Sequence, residues 1–217
     1  MLCFFAFKAQ LGEGSNWYFG QNCGITFTTN PPTAVSGSLV TQEGCSSISD
    51  MQGNLLFYTY GSTVYTKNHT VMANGTGLNG NNSTAQSAVI TRQPGNPGIY
   101  YIFTMGVSNV GNLCYSVVDM GLAAGMGSVT VKNYTVYGPC LEKLTATNHS
   151  NNNDIWVVVH ENGLSTNFRT YLLTAAGLNT VAVISNVGAT GNAQSIGALK
   201  FSPDGTKLAS AFYGPLG

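Results

Sequence analysis

Residues 196–214, IGALKFSPDGTKLASAFYG, constrain this chain most. Apolar residues run into Ser202-Pro203-Asp204-Gly205, and an apolar run leaves it. Proline presets φ for a turn, aspartate bonds nearby backbone, and glycine supplies a φ that other residues avoid. The stretch therefore reads as a β-hairpin. The same strand–turn–strand pattern occurs at 45–61, 87–106 and 143–163. Its turn ends, Gly53, Gly98, Asn153 and Gly205, recur about every 45–55 residues, which marks a repeat protein.

The second strand of each hairpin is apolar on consecutive residues: Leu55-Leu56-Phe57-Tyr58, Ile99-Tyr100-Tyr101-Ile102-Phe103 and Ile155-Trp156-Val157-Val158-Val159. Such a strand is buried on both faces. In an antiparallel protein that requires small sheets stacked face to face. The preceding strands carry small residues, among them Ser46, Ala88, Thr145 and Ala146, which suit the narrow innermost position of a propeller blade. The expected fold is all-β: a partial β-propeller of about four blades, each a four-stranded antiparallel sheet. The blades fall at 41–80, 86–138, 142–186 and 195–217, within a domain spanning 10–217. An early strand, 17–19 or 25–27, is expected to close the last blade, which removes an open edge.

Only 7% of the residues are charged and the formal charge is zero, against about 25% charged in ordinary globular proteins. There is no basic footprint for nucleic acid and no polybasic membrane patch. No run approaches the roughly 18 apolar residues of a membrane span. Residues 1–9, MLCFFAFKA, read as the remnant of a signal peptide with cleavage after Ala9, or as a buried first strand. The cysteines at 3, 23, 45, 114 and 140 lack zinc-site spacing; disulfides and buried free thiols both remain open.

Chemistry-bearing motifs are sparse. Gly75-x-Gly77-x-x-Gly80 matches a dinucleotide fingerprint, but no helix start and no acid follow, so it reads as a loop. His160-Glu161 opens like a zincin motif without its second histidine. There is no G-x-S-x-G elbow. Asn68, Asn74 and Asn133 begin glycosylation-type sequons, of a kind that arises by chance in so Asn- and Thr-rich a chain. Asp50, Asp154 and Asp204 occupy hairpin turns, where carboxylates bond backbone N–H groups. Glu43 and Glu142 precede innermost strands and are placed at the channel mouth, with His149 and His160 as further binding candidates. A pairing of the two histidines across their hairpin and a cation held by Glu43 and Glu142 at the channel mouth are the metal arrangements left open. No cofactor and no catalytic metal are expected.

The segments NWYFG (16–20), EGCSSISDMQGNLLFYTYG (43–61), NHTVMANGTGLNGN (68–81), IYYIFTMG (99–106), YSVVDM (115–120), EKLTATNH (142–149) and DIWVVVHE (154–161) carry a further signal. Together they resemble the N-terminal propeller of secreted Bacteroidota surface proteins. Those proteins bear gliding-motility-type C-terminal domains and use type IX secretion. SPDGTKLA alone is a generic WD40-like or TolB-like blade signature. The resemblance implies a secreted or cell-surface, non-catalytic binding or scaffold module that engages a glycan, a protein or a neighbouring domain. It also implies a fragment, whose further blades and C-terminal domain lie in a longer protein. The rival expectation is a propeller hydrolase or lactonase with a cation at the channel mouth.

Overall fold

The computed structural model describes residues 12–107, 111–161, 165–188 and 196–213. The segment 1–9 therefore lies outside the described residues. The chain is all-β; among the described residues the only helical turn is the 3-10 turn Ala123–Gly125.

Seventeen strands are described, β1 Asn16–Phe19, β2 Gln21–Thr26, β3 Thr33–Val40, β4 Ser46–Ser49, β5 Leu55–Thr59, β6 Thr63–Thr66, β7 Val71–Thr76, β8 Ala88–Arg92, β9 Ile99–Met105, β10 Gly111–Asp119, β11 Ser128–Asn148, β12 Ile155–Glu161, β13 Asn167–Thr174, β14 Gly177–Leu178, β15 Val183–Asn186, β16 Leu199–Phe201 and β17 Leu208–Ser210. Each pairs antiparallel with its chain neighbour from β4 to β7, from β8 to β11, and from β11 to β13. β13 then pairs with both β14 and β15. β11 serves two groups: its first part pairs with β10, its last part with β12, and Cys140 faces both Gly111 and Glu161. One parallel pair, Ser128 with Ala73, links the first group to the second. Through these links eight strands, β14-β13-β12-β11-β7-β6-β5-β4, form a nearly closed, barrel-like arc.

Two-sided burial is the rule for the middle strands. In β9, Tyr100 and Ile102 enter a core with Phe57, Val64, Met72 and Val118. The alternate residues Tyr101, Phe103 and Met105 enter a second core with Leu113, Val157, Val159 and Tyr171. Because side chains alternate along a strand, one strand walls both cores. Each such buried side chain contributes about 1.5–3 kcal/mol. β5 divides likewise, with Phe57 in the first core and Tyr58 in a third with Tyr18 and Leu39.

The N-terminal strands do not pair as expected. Trp17 and Phe19 lie in β1 and Ile25 in β2, and β1-β2-β3 form a separate sheet. Among the described residues neither pairs with β16 or β17. Gly20, at φ +59°, turns β1 straight into β2, so the nearest partner captures the strand. Asn16 then ties β1 to the first group: its Nδ2 donates to Ser49 Oγ (2.9 Å) and Gly53 O (2.8 Å). Tyr18 stacks on Tyr58 at 4.4 Å between ring centroids.

The β16–β17 turn forms as its residues dictate. Gly205 has φ +69°, and its N–H donates to Ser202 O (2.9 Å). A side chain there meets both a disfavoured φ and Thr147 Oγ1, 3.1 Å from an added Cβ. Gly205→Val is expected to destabilise the fold by roughly 1–3 kcal/mol. Paired thermal melts check this, and unchanged stability would exclude the strained turn.

Candidate functional site

The first strands of the successive groups, β4, β8, the last part of β11, and β16, surround a cavity of about 350 Å³. Ser46, Ala88, Thr145 and Ala146 line it, so the small residues do stand on its walls. Lys200 of β16 lines this cavity and also an adjoining one of about 470 Å³, which Trp17, Phe19, Cys45 and Ser47 border. Trp17 and Phe19 are exposed there. The thiol of Cys45 is pushed up by burial, so it stays protonated.

One side chain knits the walls together. Gln86 Oε1 accepts the N–H of Leu199 (2.7 Å) and of Leu144 (3.3 Å), while its Nε2 donates to Leu199 O (3.1 Å). It acts as a short strand partner for β16 and joins three groups at once. Beside it, Glu142 is buried and its carboxylate accepts Ala85 N–H (2.9 Å).

The four sequence candidates do not form one constellation. Glu43 is exposed, and its backbone N–H donates to Asn82 O (3.2 Å). Glu142 holds the same crossing segment from Ala85. His149 sits in the β11–β12 turn, its Nδ1 accepting Asn151 N–H (3.0 Å) and its ring 5.1 Å from Trp156. His160 lies at the other end of β12, buried against Phe168. The two histidines are thus not neighbours, because antiparallel pairing sets the turn residue at the far end of the strand from His160. Among the described residues no three His, Cys, Asp or Glu side chains gather as metal ligands. The described cysteines, Cys23, Cys45, Cys114 and Cys140, are free thiols.

What brings Glu142 level with His160 is a bulge. Cys140 faces Glu161 and Leu144 faces Val159, so Leu141, Glu142 and Lys143 together oppose His160. Bulges re-aim side chains, and here Lys143 is turned into the interior. Lys143 is wholly buried, its Nζ has no hydrogen-bond partner, and it lies 3.0 Å from the centroid of the Phe212 ring. Burial lowers its pKa from 10.5 to about 8. His160 is also lowered, by burial first and then by the charge of Lys143, against an opposing hydrogen bond to Glu161.

Apart from Glu43, the acids of the described residues are tied to the fold. Burial works to raise Glu161, but bonds from Asn167 and Ser165 and the Arg169 guanidinium (2.6 Å) hold it below the ordinary range. Asp50 accepts the N–H groups of Gln52 and Asn54, and Asp204 that of Thr206. Asp154 differs: Asn151 Oδ1 takes the turn N–H groups of Asn153 and Asp154, and Asp154 accepts the Asn151 amide. Asp119 accepts Gly121 N–H, and Glu13 pairs with Arg92 at 3.5 Å.

Comparison with known proteins supplies no relative: no family model, no curated protein and no solved structure matches the chain.

Gln86→Ala strands three backbone groups, and it is expected to cost about 2–4 kcal/mol in denaturant unfolding; a loss under about 0.5 kcal/mol would mean these bonds are dispensable. Lys143→Met tests the buried amine. The folded chain binds fewer protons than the unfolded one between pH 8 and 10.5, so the cost of Lys143 is full below about pH 8 and gone above about 10.5. The variant is expected to be more stable than the parent by roughly 1–3 kcal/mol at pH 7. The difference should shrink towards pH 10.5; a constant difference would show that the amine does not titrate in this window.

Proposed function

We propose that the chain is part of a β-propeller that serves as a non-catalytic binding module of an exported, cell-surface protein. The successive antiparallel groups act as blades, sharing cores along their faces and surrounding an axial cavity with their first strands. The ligand is a glycan or a protein segment held at the joined cavities of Lys200, where Trp17 and Phe19 offer an open aromatic face. Aromatic faces with a few fixed polar groups suit recognition without turnover.

The commitment of the buried and turn carboxylates carries the reading. General acid–base work requires a carboxyl or imidazole free to exchange protons with a bound substrate. Glu142 and Glu161 instead hold backbone and side-chain donors in the fold. Asp50 and Asp204 hold their own turns.

Affinity electrophoresis of the purified protein against a panel of soluble polysaccharides is the test. Retardation by at least one of them, lost on Trp17→Ala with the melting temperature unchanged, is the expected outcome. Hydrolysis of a polysaccharide or lactone that depends on Glu43 or Glu142 would replace this reading with an enzymatic one.

A further inference from the structure

A third cavity, of about 350 Å³, lies on the far face of β12 and β13, against the β16–β17 hairpin. His160, Phe168, Leu208, Ser210 and Phe212 line it. Two buried polar atoms have no hydrogen-bond partner among the described residues: Oγ of Ser210, on the lining, and Nζ of Lys143, behind the Phe212 wall. Phe212 both forms a wall of the cavity and caps the Lys143 ammonium. The Nδ1 of His160 lies 2.8 Å from the carbonyl of Glu161. A carbonyl only accepts, so Nδ1 carries the proton and Nε2 is left as an acceptor.

We infer that this cavity is a binding site for a small carboxylate with an apolar body, of the aryl-carboxylate class, with Lys143 and Ser210 as its recognition groups and Phe212 as its gate. A buried ammonium without an acceptor is costly, and a carboxylate both neutralises it and accepts a second bond from the serine hydroxyl. With Phe212 swung aside one cation, Lys143, would face the site, since burial disfavours the charged form of His160. A monoanion therefore matches it better than a phosphate. Glu142 and Glu161 do not supply the counter-charge as bonded partners of Lys143; their carboxylates hold Ala85 N–H and the Ser165, Asn167 and Arg169 side chains respectively. The ring of Phe168 and the side chain of Leu208 fit an aromatic body better than a sugar. The site is separate from the axial cavity and does not rest on the ligand proposed there.

Titration calorimetry with phenylacetate at pH 7, beside its neutral isostere phenylacetamide, tests the inference. Saturable binding of phenylacetate, at least tenfold tighter than the amide, is expected. Lys143→Met should abolish it, Ser210→Ala should weaken it severalfold, and Phe212→Ala should tighten it by removing the ring that caps the amine. Because Lys143→Met removes an unpaired buried charge, it should fold, which its melt verifies. Equal affinity for the amide, binding that survives Lys143→Met, or no binding by either the parent or Phe212→Ala would overturn the proposal.

Discussion

The structure depends on strands that are buried on both faces. β9 is the clearest: Tyr100 and Ile102 complete one core, and Tyr101, Phe103 and Met105 complete the next. Neither core can form without the strand that it shares with its neighbour. Stability is therefore coupled from group to group, as in other architectures whose units stack on their neighbours. Desolvation follows from the same packing. The phenol of Tyr171 and the thiol of Cys140 are both pushed up to about 12 by burial.

With so few charges, polar stitching falls to amides, hydroxyls and backbone. The outer strands of the first two groups are joined by Asn74 Nδ2 to Val129 O (2.8 Å), by Asn133 Nδ2 to Gly77 O (2.8 Å) and by Lys132 Nζ to Thr76 O (2.8 Å). At the inner side Gln86 does the same for three groups. Amides suit this task because they donate and accept at once, as backbone does. Arg169 is a rare charged counterpart: it pairs with Glu161 and lies 3.9 Å from the centroid of the Tyr137 ring.

Lys143 departs from this economy. The bulge between Cys140 and Leu144 drives it into an apolar region, where ring contact with Phe212 replaces hydrogen bonding. A site that violates the local rules of burial is where function is to be sought, because such costs persist when something offsets them. The neighbouring cavity, and a second orphaned hydroxyl in Ser210, give that expectation a location.

The amino-acid order alone determined the hairpins and the two-sided strands. Both are local: Asp50 bonds N–H groups two and four residues on, Gly205 needs only its own φ, and consecutive apolar residues in β9 and β12 report burial on each face. The candidate site was far less legible. Glu142 was singled out, but its role, a bond to Ala85, spans 57 residues; the link from Gln86 to Leu199 spans 113 and has no local signature. Lys143 has no local signature of burial, because a lysine beside a glutamate is ordinarily a solvated pair. A register shift of the strand decided otherwise, by turning one side chain to Ala85 and the other beneath Phe212. The partner of β1 was likewise settled in three dimensions, where the adjacent β2 was nearer than the distant β17. Turns and periodicity are short-range properties of a chain; register, bulges and unmet polar groups exist only between segments already packed together.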